Sequence, residues 1–68
     1  MAIENEIRRL RFENGEMTQA QLAERIGMTR QTVIAIEQNK YAPSLEAAFK
    51  IADAFGVPLE DVFRWSKS

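Results

Sequence analysis

Residues 19–37 read QAQLAERIGMTRQTVIAIE, and this stretch decides how the rest of the chain must fold. Apolar residues stand at Leu22, Ile26, Met28, Val33 and Ile36. Leu22 and Ile26 are four apart and Val33 and Ile36 three apart, so each half carries one narrow apolar stripe of helical period. Helices of about eight residues are marginal in water, so both halves must draw their stability from packing against other elements. The punctuation agrees. Thr18 with Gln21 three residues later forms a Thr-x-x-Gln capping box for the first helix. Gly27 is placed to enter the left-handed region and end it, and Thr29 can cap the second. Only Gly27, Met28 and Thr29 lie between the two helices, too few for antiparallel packing, so a steep crossing is predicted. Ala23, one turn before the glycine, is small enough to let the helices approach. The pattern is a helix-turn-helix.

The string Gln19-Ala-Gln-Leu-Ala-Glu-Arg-Ile-Gly-Met-Thr-Arg-Gln-Thr-Val, followed by Ile36-Glu37, resembles the helix-turn-helix of the Cro/C1 repressor family, also called the XRE family. The resemblance continues through Asn39-Lys-Tyr-Ala-Pro-Ser-Leu to Ala52 and through Gly56-Val-Pro-Leu-Glu-Asp-Val-Phe63, covering the chain from about Ile7 to Trp65. The ending Phe63-Arg64-Trp65 is similar to that of small dimeric repressors of the cytolysin-operon type. The resemblance implies an all-α, five-helix, lambda-repressor-like DNA-binding domain with a short antiparallel pair of terminal strands. It also implies a homodimer that binds double-stranded operator DNA.

Composition narrows the alternatives. Sixty-eight residues allow a single domain, spanning 1–68. A chain this short buries only about 60% of its unfolded surface, so a compact helical core or a partner subunit is expected. With no cysteine and no histidine, disulfides, zinc sites of the usual kind, nucleophilic thiols and imidazole bases are excluded. No apolar run approaches the roughly 20 residues of a membrane span, nothing at the start resembles a signal peptide, and a cytoplasmic location is expected. No cofactor, metal, catalytic residue or small-molecule effector is expected. The net charge of −1 and pI near 5.3 run against nucleic-acid binding. Residues 19–41, however, carry Arg25, Arg30 and Lys40 against Glu24 and Glu37, a balance of +1, and each flank comes to −1. Phosphate contact depends on where charge sits on the surface, which a global pI does not report.

Around the central stretch, Asn5 can cap a first helix running to about residue 14, with Ile7 and Leu10 inward and Gly15 ending it. Ile3 lies in the lead-in, and Phe12, off the stripe, covers a second surface. Arg11 falls beside the buried face, where a guanidinium needs an acidic partner. The resemblance names that partner as Glu37. Ser44 caps a fourth helix over residues 45–55, with Leu45, Ala48, Ile51, Ala52 and Phe55 at spacings of three and four. Gly56 ends it, Pro58 opens a short fifth helix with its preset φ, and Leu59, Val62 and Phe63 close the core. Phe63 and Trp65 then alternate with Arg64 and Ser66 at strand period. By the resemblance, residues 64–66 pair with 2–4 beside a dimer interface that includes Leu59, Phe63 and Trp65. The alternative is that Trp65 folds back onto its own domain.

On the third helix, taking Val33 and Ile36 as inward places Gln31, Ala35 and Gln38 opposite, with Arg30 and Ile34 on one flank and Thr32 on the other. A recognition helix reads base edges mainly through its N-terminal residues, so Arg30, Gln31 and Thr32 are the expected base readers, with Ala35 small enough to let the helix sink into the groove. Arginine can fork onto guanine O6 and N7, and glutamine onto adenine N6 and N7. Ile34 either packs under the following loop or meets thymine methyl groups. Gln19, Thr29, Asn39, Lys40 and Tyr41 form the expected phosphate set. Asn39 stands where the family commonly has glycine, a mild change because asparagine also tolerates a left-handed helix end. Tyr41 either donates to phosphate or buries its ring against the fourth helix.

The function expected from these residues is a transcriptional repressor that occludes a palindromic operator, with recognition helices about 34 Å apart entering successive major grooves. The competing reading is a protein-interaction or antitoxin-like module built on the same helices. An enzyme is not expected, since no carboxylate pair is spaced across a likely cleft; Glu60 and Asp61 are merely adjacent on a surface helix.

Overall fold

A computed structural model describes residues 2–66. The order is β1 (Ala2–Asn5), α1 (Ile7–Glu13), α2 (Gln19–Ile26), α3 (Arg30–Glu37), α4 (Leu45–Phe55), α5 (Leu59–Val62) and β2 (Phe63–Ser66). Five helices and a two-stranded ribbon match the expected architecture, and the strands pair antiparallel as Ala2 with Ser66, Ile3 with Trp65, Glu4 with Arg64 and Asn5 with Phe63. The ribbon is one pair longer than the expected 2–4 with 64–66. It is joined to the helical body where the Glu6 amide donates to the Val62 carbonyl at 2.8 Å.

Local chemistry sets the helix bounds. Thr18 Oγ1 accepts from the Gln21 amide while Gln21 Oε1 accepts from the Thr18 amide, completing the capping box. Met17 and Leu22 flank that cap at the positions of a hydrophobic staple, and both lie in the core. Thr29 and Ser44 accept from the amides three residues ahead and start α3 and α4 in the same way. Three helices end alike. After α2, α3 and α4, residues Gly27, Asn39 and Gly56 take left-handed φ values of 72°, 61° and 68°. In each case that residue donates three positions back, and the next one donates five positions back, as in a Schellman motif. Asn39 therefore does the work of a glycine.

The core gathers Ile7, Leu10, Met17, Leu22, Ala23, Ile26, Val33, Ile36, Ile51, Ala52, Phe55 and Val62, with Leu59 and Phe63 partly buried against it. α2 packs on both α3 and α4, and α4 on α5. Among the described residues no buried side-chain polar atom lacks a hydrogen-bond partner, and no helix is long and apolar enough to cross a membrane.

Three expectations need correction, and one open alternative is decided. Leu45 was expected inward and is 68% exposed; Ala47, two residues later, is buried instead. As the first residue of α4, Leu45 stands at the edge of an inward arc that runs through Ala47, Ala48, Ile51, Ala52 and Phe55. Asn5 does not cap α1. Glu6 holds the cap position without a side-chain bond, and Asn5 is the last residue of β1, although its Oδ1 accepts from the Ile7 amide at 3.2 Å. Of the two placements open to Tyr41, burial against α4 is the one that falls, since the residue is 54% exposed. Phe12 covers no other element and is 70% exposed.

Candidate nucleic-acid interface

α3 begins at Thr29, whose side chain accepts from the Thr32 amide, and this cap orients the first turn outward. Arg30 and Gln31 are exposed there, and no described side chain engages either. Thr32 is half-buried, and its hydroxyl shares a 2.9 Å hydrogen bond with Thr29 Oγ1. That bond ties Thr32 and Thr29 to the cap, leaving Thr32 its methyl group and a spare lone pair for any base. Ala35 is half-buried on the same outward arc. Ile34 is half-buried as well, short of both the fully packed and the fully exposed alternative.

The trailing end of α3 is held from a distance. Arg11 donates from Nε to Glu37 Oε2 at 3.0 Å and from Nη2 to Glu37 Oε1 at 2.8 Å, a two-pronged pair with side chains 15% and 11% exposed. Arg11 Nη1 donates further to the Met17 carbonyl at 2.8 Å, tying α1, the loop before α2 and the end of α3 together. Asn5 makes a second tie. Its Nδ2 donates to the Ile36 carbonyl at 3.0 Å and to Asn39 Oδ1 at 2.9 Å, so the ribbon grips the turn that carries Lys40 and Tyr41. Lys40 and Tyr41 are both exposed just beyond it.

Gln19, half-buried in the first turn of α2, lines an open depression with Arg8, Arg11, Arg30, Glu37 and Gln38. Among the described residues Glu37 is the only carboxylate lining this depression, and Arg11 neutralises it. Elsewhere Arg9, Lys50 and Arg64 are spent in ion pairs with Glu6, Glu13, Glu46 and Glu4. Hydrogen bonds donated to Glu6 first, and then to Glu13, hold the Arg9 guanidinium more firmly protonated than usual. Among the described residues, Arg8, Arg25, Arg30 and Lys40 are the cations without a carboxylate partner. Arg8 and Arg30 stand together at the depression, so a chain of net charge −1 presents a locally positive surface beside α3. Of the DNA contacts expected from sequence, the depression unites Gln19 and Arg30; Thr29, Gln31, Thr32, Ala35, Asn39, Lys40 and Tyr41 lie outside it.

Two residues here were missing from the sequence-based set. Arg8 had a usable signal: it lies three positions before Arg11 on the same helix face, so pairing Arg11 with Glu37 also aims Arg8 at the α1–α3 junction. The grip of Asn5 on α3 had none, because its partners are 31 and 34 positions away. At the expected dimer surface, Leu59 and Phe63 are half-buried against their own core while Trp65 is 57% exposed opposite Ile3, itself 41% exposed. Trp65 thus pairs within the ribbon without being covered by its own domain.

Comparison with known proteins gives this geometry a lineage. The helix-turn-helix family profile matches residues 7–62. An uncharacterised helix-turn-helix-type transcriptional regulator of Methanocaldococcus jannaschii is 60% identical over 47 residues, covering 69% of this chain and 71% of that protein. One from Bacillus subtilis is 48% identical over 61 residues, covering 90% and 91%. The crystal structure of a candidate DNA-binding protein from Bacteroides fragilis superposes with a TM-score of 0.78 at 26% identity, over 91% of this chain and 98% of the other. The chain belongs to the XRE-type helix-turn-helix family.

Proposed function

We propose that this protein is a sequence-specific, double-stranded-DNA-binding transcriptional regulator, acting in the cytoplasm as a homodimeric repressor on a palindromic operator. The observation that carries the reading is the leading turn of α3, where Arg30 and Gln31 are exposed and uncommitted, with the unpaired Arg8 beside Arg30. In this reading α3 enters the major groove, Arg30 and Gln31 contact base edges, and Ala35 permits close approach. Gln19 and Lys40 contact phosphate on either side of the groove, joined by Thr29, Asn39 and Tyr41. Thr32 contributes mainly through its methyl group, since its hydroxyl serves the cap. The exposed pair of Trp65 and Ile3, flanked by Leu59 and Phe63, forms the dimer contact in this proposal. Control comes from concentration, a partner protein or the protein's own operator, with no small-molecule effector required.

The test is selection of binding sites from random duplexes, with the winners examined for dyad symmetry and half-site spacing. Arg30→Ala or Gln31→Ala should then weaken binding to the selected site by about 1–3 kcal/mol and relax the base preference at one position. Lys40→Ala should weaken all duplexes alike. A pool that yields no preferred sequence would replace this reading with that of a protein-interaction module.

A further inference from the structure

We propose that Arg8, on the first helix, is a backbone-phosphate clamp that extends the DNA contact beyond the helix-turn-helix. The inference rests on the DNA-binding reading above and adds a residue and an element to it.

Three arginines stand close together on α1, and they differ in what they hold. Arg9 is bonded to Glu6 and Glu13 at 3.1 Å. Arg11 is committed to Glu37 and to the Met17 carbonyl. Arg8 is exposed with none of its five N–H donors engaged by a described residue. It lines the same depression as Gln19, the first residue of α2, and Arg30, the first residue of α3. Three elements therefore present an amide and two free guanidiniums to one hollow, and its one carboxylate is already neutralised. A guanidinium fork matches the two non-bridging oxygens of a phosphodiester. With α3 in the major groove and Gln19 against the flanking strand, Arg8 would take hold of that strand from α1, across the hollow it shares with Gln19 and Arg30. The contact is to phosphate oxygens alone, so it adds affinity and register without sequence choice.

The experiment compares wild type, Arg8→Ala, Arg8→Lys and Arg9→Ala on the selected operator and on a random duplex across a series of KCl concentrations. Arg8→Ala should reduce the slope of log affinity against log salt by about 0.9 per subunit. It should also weaken operator and random duplex by the same factor, with an unchanged melting temperature. Arg8→Lys should restore the slope, because a point charge still releases counterions, and Arg9→Ala should leave it at the wild-type value. The proposal is overturned if Arg8→Ala keeps the wild-type slope, if Arg9→Ala lowers it equally so that only net charge matters, or if Arg8→Ala weakens the operator alone. Wild-type protein that binds no duplex would remove the DNA reading along with the clamp. Wild-type binding with an inert Arg8→Ala would remove the clamp and leave the reading standing.

Discussion

The two ends of α3 are secured by opposite means. At its leading end everything needed is within a few residues. Gly27 turns the chain at φ 72°, Thr29 caps the new helix, and the hydrogen bonds span three to five positions. At its trailing end the Schellman turn at Asn39 is local, but the anchors come from Arg11 and Asn5, 26 and 31 or more positions away. A short helix with a weak intrinsic tendency to form can thus be started by its neighbours and stopped from drifting by the far end of the chain. The leading turn, which must stay open for a ligand, is kept free of long-range ties. The trailing turn takes them all.

This contrast can be broken by experiment, and the largest effect should come from the distant anchors. Arg11→Ala leaves Glu37 charged and mostly buried, and should lower unfolding free energy by about 3–5 kcal/mol in denaturant titration. A midpoint that hardly moved would mean that the pair contributes little to holding α3. Asn5→Ala removes the donors to the Ile36 carbonyl and Asn39 and the acceptor of the Ile7 amide, and should cost about 1–3 kcal/mol. If the ribbon were a mere appendage, protection of the Asn39 and Lys40 amides from hydrogen exchange would survive that change. Thr29→Ala removes one local cap and should cost only about 1 kcal/mol. A larger loss from Thr29→Ala than from Arg11→Ala would invert the comparison.

What could be read in the sequence follows the same division. The bounds of α2, α3 and α4 were legible because caps and left-handed residues act through neighbours; Thr18 with Gln21, Thr29, Ser44, Gly27 and Gly56 all behave as their local chemistry predicts. Leu45 was misread because three-residue spacing cannot tell the edge of an inward arc from its middle in a first turn. The Arg11–Glu37 pair was reached through family resemblance, and its geometry is two-pronged and nearly sealed. The helix face of Arg8 was legible from its spacing to Arg11, but its freedom was not, because that depends on which neighbouring arginines are already occupied. That is a property of the folded surface, invisible until Glu6, Glu13 and Glu37 have chosen their partners.

The ribbon sets Ala2 directly opposite Ser66. The chain therefore enters and leaves the described body at one shared corner, and a short linker from Ser66 to Ala2 would close residues 2–66 into a ring. New ends could then be cut into the exposed turn around Gly15, giving a circularly permuted protein in which β1 and then α1 follow the linker.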